Sequence, residues 1–176
     1  MKLKLLVILS SVIFAGHSFA GLVVEPYLGA GSVAQKFTVS GLDLADPDTE
    51  TSSVVGARLG YSFLLLSAGI DYEMQTVDDV NMTNMAAFVG VDFPILVRAW
   101  AKYYVSSSFD VDGASDFEFK DGYAVGVGFT GLPFVSLNLE LQNLNYSYTK
   151  TEATVDYDVD HSLAATVLSV SLPLDL

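Results

Sequence analysis

The chain contains no cysteine. That removes disulfides, thiolate catalysis and cysteine-ligated metals together. Basic residues are scarce as well: eight Lys and Arg stand against 21 Asp and Glu in 176 residues, a formal net charge of −13. So few cations cannot neutralise a phosphate backbone, which excludes nucleic acid as a partner. Charged residues of both signs make up only 16% of the chain and hydrophobic ones 51%, so disorder is excluded, because apolar content this high collapses. Long hydrophobic runs are missing too. The mean hydropathy is +0.44, yet nothing after residue 20 approaches the ~20 apolar residues of a membrane-spanning helix. The length suits one domain.

The first twenty residues read as an address. Lys2 and Lys4 form a positive start, Leu5 to Ala15 is apolar, and Ser18-Phe19-Ala20 places small residues at the two positions a signal peptidase reads. The expected organisation is a signal peptide over 1–20 and a barrel domain over 21–176. Cleavage would leave six basic against 21 acidic residues, with His161 the single histidine.

From Gly21 onward the dominant period is two, the mark of strands with one apolar face. Val24, Pro26, Leu28 and Ala30 alternate with Glu25, Tyr27 and Gly29. Val55, Ala57, Leu59, Tyr61 and Phe63 alternate with Gly56, Arg58, Gly60 and Ser62. The same reading continues through segments around 64–75, 84–93, 95–106, 122–130, 135–148 and 168–176, which makes eight strands. In the seventh, the apolar phase slips at Asn143-Leu144, and a bulge is expected there.

The connections alternate in kind. Tight turns fall at Phe63-Leu64, Phe93-Pro94 and Gly131-Leu132-Pro133. Longer polar stretches, about Ser32–Ser52, Thr76–Thr83, Ser107–Asp121 and Thr149–His161, carry 15 of the 21 acidic residues. An even strand count with short turns at one end and long polar loops at the other is the layout of an outer-membrane barrel. A soluble eight-stranded barrel is the competing class, and it would hide the apolar face inside. It would also put Gly29, Gly56, Gly60, Gly69, Gly90, Gly126 and Gly128 outside, whereas small residues suit a crowded interior. Phe63, Phe93, Phe129 and Phe134 near the short turns, and Tyr72, Tyr103, Tyr123, Tyr146 and Tyr148 towards the loops, fit two interfacial girdles. The fold class expected is all-β, an eight-stranded antiparallel up-and-down transmembrane β-barrel.

On this phase the interior carries Glu25, Asp71, Glu73, Asp92 and Glu140 with Arg58, Arg98 and Lys102. Ions in a narrow, dry interior must pair, so a salt-bridge network that plugs the barrel is expected. An ion path through the same charges is the functional alternative, although side chains fill a barrel of eight strands. Nucleophilic catalysis would need Ser, His and a carboxylate together, and His161-Ser162 beside Asp158 and Asp160 is the one place that offers them. A polar histidine at the barrel rim accounts for the same residues without chemistry. Asp110, Asp112, Asp156 and Asp158 are weak calcium candidates, spaced two apart as oxygen ligands often are, but neither group matches a twelve-residue calcium loop. Alternating Asp on a solvated strand explains them equally. No metal and no cofactor is expected.

The stretches EPYLGAG, GARLGYSF, DFPILVRAWAKYY, GVGFTGLPFVSLNLE and SVSLPLDL resemble the outer-membrane β-barrel, or porin-family, proteins of Gram-negative bacteria. The resemblance touches most strands and all three tight turns. It implies insertion by the barrel-assembly machinery through the C-terminal strand. The reading expected from the layout is a monomer in the cell outer membrane, in contact with membrane lipid and lipopolysaccharide. Such C-terminal signals usually end in an aromatic residue, whereas this chain ends in Leu176. The resemblance carries no catalytic residue. The function expected is therefore non-enzymatic, structural or surface-interacting, with a narrow ion or small-solute channel as the alternative and a lipid-modifying enzyme behind it.

Overall fold

The computed structural model describes residues 20–39, 42–43, 48–78, 80–110, 118–152 and 155–176. The expected signal peptide, apart from Ala20, lies outside them. Among the described residues eight long strands form: β1 (Ala20–Val39), β2 (Asp48–Phe63), β3 (Leu66–Val77), β4 (Val80–Phe93), β5 (Val97–Asp110), β6 (Glu118–Phe129), β7 (Ser136–Glu152) and β8 (Val155–Ser171). Each pairs antiparallel with its sequence neighbour, and β8 pairs back onto β1 from Tyr27↔Ser171 to Val39↔Val159, so the sheet closes. Beyond Ser171 the chain passes Pro173 and stays on β1, where Leu22 and Leu176 exchange backbone hydrogen bonds.

Ladder partners fix the size of the barrel. Going round from Leu22 through Tyr61, Ala68, Val89, Ala101, Val125, Leu141 and Thr166 returns to β1 at Ser32, ten residues along. A stagger of this size on eight strands sets a tilt of about 40° and a backbone diameter of about 16 Å. An interior that narrow is filled by side chains.

The faces separate as the period of two requires. Among the described residues, 33 large apolar side chains are exposed on the outside, including Leu28, Leu59, Ile70, Val89 and Leu168. A soluble monomer does not carry so continuous an apolar surface, so the outer face is a lipid face. No helix among the described residues is long and apolar enough to cross a membrane. The strands do the crossing.

Three local expectations are corrected. The polar stretches are largely strand, since β1 runs to Val39, β5 to Asp110 and β7 to Glu152. Polar residues on both faces hid the continuing ladder. Nor does β7 break phase at Asn143-Leu144: Gln142, Leu144 and Tyr146 all stay inside. Register shifts occur instead between Met85 and Ala86 against β5, and between Phe119 and Asp121 on β6. Apolar Leu144 belongs to a core, so the apparent slip was a change of interior chemistry. Tyr146, expected in the outer girdle, is buried for the same reason, while Tyr72, Tyr103 and Tyr123 do face outward.

Candidate functional site in the barrel interior

The interior has two storeys. The one nearer the loop end is apolar and aromatic, built from Val33, Val77, Met82, Leu144, Tyr146 and Leu163, with Phe109 and Phe119 packed against them. His161 is buried here too, its ring 6.0 Å from that of Tyr146 and 6.4 Å from that of Phe109. The storey nearer the short turns is ionic.

Arg58 on β2 and Lys102 on β5 form its centre. The Arg58 guanidinium lies 2.9 Å from Asp71, 3.2 Å from Glu140 and 3.6 Å from Glu25. Lys102 Nζ lies 2.8 Å from both Asp71 and Glu140, and 3.6 Å from Glu73. Arg98, lower on β5, reaches Glu25 on β1 with both terminal nitrogens, one of them at 2.8 Å, and also donates to Asn138 and Ser171. Both charges of each pair are out of water, so geometry decides whether desolvation is offset, and shared, multidentate contacts are the arrangement that does so.

Three cations thus face four carboxylates in these pairs, and neutral donors attend the extra charge. Glu73 takes hydrogen bonds from Gln142 Nε2 at 3.1 Å and Asn84 Nδ2 at 3.3 Å. The Tyr27 hydroxyl sits 2.7 Å from Asp71 and 3.0 Å from Glu73, and its single proton serves one of them at a time. Trp100 Nε1 donates to Glu140 at 2.5 Å. Two guanidinium groups lie over its ring, with Arg58 Cζ at 4.3 Å and Arg98 Cζ at 5.1 Å from the centroid. Stacking of this kind, once desolvated, contributes about 2 kcal/mol.

Glycine makes the space. A Cβ on Gly126, the ladder partner of Trp100, would lie 2.2 Å from the indole ring. A Cβ on Gly56 would lie 2.5 Å from the Tyr27 hydroxyl. Two interior glycines therefore face aromatic rings of the ionic storey.

A polar chain links the storeys. Ser107 on β5 has one proton, which goes to Asn84, so Tyr146 donates to Ser107 across 2.7 Å. Asn84 then donates to Glu73, and the chain ends in the network. Two cavities lie at the two ends of the interior. One of about 270 Å³ opens among the short turns beside Glu25, Asp92, Arg98 and Trp100. The other, about 150 Å³, lies at the loop end beside Gln35, Asp78, Met82 and Phe109.

Of the eight interior charges read from the sequence, seven meet in this network. Asp92 lies at the turn end, opposite Arg98 in the ladder, and lines the cavity there. Alternation alone did not single out Tyr27, Asn84, Trp100 or Gln142 as partners. The available signal was position: each shares the inward phase, and Tyr27, Trp100 and Gln142 sit two residues from a charge. His161 and Ser162 project to opposite faces, as neighbours on a strand do, and Asp160 pairs outside with Lys120 at 2.6 Å. They form no catalytic cluster. Asp112 lies outside the described residues, and of Asp110, Asp156 and Asp158 only the backbone is described. Among the described residues no group of three His, Asp or Glu could hold a metal.

No family model and no curated protein matches the chain. Solved structures similar to it are barrels. Neisserial surface protein A is 18% identical, with 84% of this chain and 96% of that one covered and a TM-score of 0.46. The outer membrane protein OprG from Pseudomonas aeruginosa is 10% identical, with 92% and 99% covered and a TM-score of 0.45. Ail, the attachment invasion locus protein of Yersinia pestis, is 10% identical, with 83% and 98% covered and a TM-score of 0.39. A closed, antiparallel, eight-stranded barrel with an apolar outer face is the architecture of bacterial outer-membrane proteins.

Proposed function

We propose that this chain is a non-enzymatic outer-membrane barrel, closed through its interior, that acts as a structural or surface-interaction protein. The observation that carries the reading is the layer of paired charges across the bore, from Glu25 and Arg98 to Lys102 and Glu140. An aromatic layer with Tyr146 lies above it. The barrel is read as a monomer. Its partners are membrane lipid and lipopolysaccharide, with the barrel-assembly machinery acting during insertion. The strand extensions beyond the lipid band present exposed Asp78, Glu118, Asp121 and Asp160, an acidic rim suited to contacts outside the cell.

Purified protein in planar bilayers tests the closure, and negligible conductance is the expected result. A narrow channel is the second reading, favoured by the cavities on either side of the charged layer. It requires small, regular conductance steps that change in Arg98→Ala or Glu140→Ala. Those steps would overturn the closed reading. A lipid-modifying activity would alter lipid A by mass spectrometry in cells carrying the protein, with the change lost in His161→Ala. An unchanged spectrum is expected.

A further inference from the structure

The short-turn end carries an anomaly in both chemistry and backbone. Segments 62–67, 93–97 and 129–136 contain no Asp, Glu, Lys or Arg. Their tips are apolar and exposed: Phe134 is 84% exposed, Ile95 74% and Leu65 is exposed as well, while Leu64 and Leu96, also exposed, stand at the mouth of the turn-end cavity. In water such a rim is an aggregation liability. Three of these residues also adopt the left-handed backbone, Leu64 at φ 57°, Leu96 at 64° and Phe134 at 66°. Bulky side chains are unfavourable there, and Gly, Asn or Asp relieve the strain while favouring water. At the opposite end, among the described residues, the left-handed residue other than glycine is Asp78 at φ 43°, which follows that rule. Apolar bulk is thus kept where both backbone and solvent argue against it.

The height of the lipid face points to the reason. On β3 the outward run is Leu66, Ala68, Ile70, Tyr72 and Met74, and Thr76 follows. The eight steps from Leu66 to Met74, at a tilt of about 40°, rise only about 20 Å. An outer-membrane barrel commonly shows an apolar band of about 25 Å. The Leu64-Leu65 turn extends the apolar surface toward that height.

We infer that the short turns are part of the membrane-embedded surface: Leu64-Leu65, Ile95-Leu96 and Leu132–Phe134 insert into the phospholipid leaflet on the periplasmic side and anchor the barrel's depth. The occupant of this apolar rim is lipid, because the rim is continuous with the lipid face of the strands. The inference rests on the membrane-barrel reading, and its test separates the two.

Because the chain has no cysteine, single labels can be placed freely. Ile95→Cys and Phe134→Cys report the turns, Ile70→Cys the middle of the band, and Thr51→Cys the polar extension. Each carries an environment-sensitive dye in phosphatidylcholine vesicles, with folding checked by heat modifiability. The expected result is that the 95, 134 and 70 labels emit to the blue, are quenched by lipid-attached nitroxide and resist iodide, while the 51 label does the reverse. Turn labels that behave like position 51, with position 70 still in lipid, would overturn this inference alone. A position 70 label quenched by iodide would overturn the membrane reading itself. A blue shift at 95 and 134 that disappears on diluting protein at constant lipid would assign the rim to a second copy and overturn the lipid assignment. Leu96→Asn gives an independent sign: relief of backbone strain would raise the urea midpoint if the turn sat in water. A lowered midpoint is expected.

Discussion

Arg98 and Glu25 stand on strands half a barrel apart, β5 and β1, and meet through both guanidinium nitrogens and both carboxylate oxygens. The pair is a crossbar on the cavity side of the ionic layer. Glu25 keeps Arg58 at 3.6 Å when Arg98 is removed, so the carboxylate is not wholly abandoned. Arg98→Ala is therefore expected to cost about 3 kcal/mol, the lower end for breaking a buried pair. Urea unfolding of the vesicle-inserted protein measures it. A change below about 0.5 kcal/mol would place the pair among surface bridges.

Lys102 has a heavier role. Its ammonium is buried and lies 2.8 Å from each of two carboxylates on different strands, β3 and β7. Lys102→Met keeps most of the stem but leaves Asp71, Glu73 and Glu140 with Arg58 as their nearest cation. A loss of about 4–5 kcal/mol is expected. Pairing Lys102→Met with Glu140→Gln should recover part of it, because one uncompensated charge leaves with the other. The same urea titration reads both variants, and additive losses would show that the two residues are not coupled.

How far the sequence revealed this arrangement depends on the storey. In the ionic half, strict alternation on β1, β2, β3 and β5 assigned Glu25, Arg58, Asp71 and Arg98 to one face, because charge marks the face away from lipid without ambiguity. In the apolar half that contrast disappears. Leu144 and Leu163 are as hydrophobic as the lipid-facing Leu141 and Leu168, and Tyr146 is the same residue type as the lipid-facing Tyr103, so composition carried no label of inside or outside. The register shift beside Val105 was equally hidden. Ser106, Ser107 and Ser108 are three alike residues, and only the ladder shows that Ser107 turns inward. Partner choice across the bore, such as Arg58 with Glu140, depends on the barrel's stagger, which emerges only when all eight registers are combined.

Tyr146 provides the test of the apolar storey. It is buried, packs on Phe109 at 4.6 Å between centroids and hydrogen-bonds Ser107. Tyr146→Ala removes an aromatic core side chain and is expected to cost about 3–5 kcal/mol. Tyr146→Phe keeps the packing and loses the bond, for about 1 kcal/mol. Tyr103, on the lipid face, offers the comparison, and Tyr103→Ala should cost clearly less than Tyr146→Ala in the same urea titration. Equal losses would mean that Tyr146 faces lipid after all.

Gly126 and Trp100 make the sharpest packing prediction, because backbone and ring already touch. A methyl group on Gly126 would lie 2.2 Å from the indole. The ring cannot simply retreat: Arg58 and Arg98 stack on it, and Nε1 is held by Glu140. Gly126→Ala is therefore expected to destabilise by about 1–3 kcal/mol through overpacking. Trp100→Leu alone should also destabilise, by loss of volume, stacking and the Glu140 bond. Together the two changes relieve one another, since the smaller side chain vacates the space the methyl needs. A double-mutant cycle on urea midpoints should return a favourable coupling above about 0.5 kcal/mol, the range for residues in direct contact. Additivity within error would instead mean that Trp100 does not lean on Gly126.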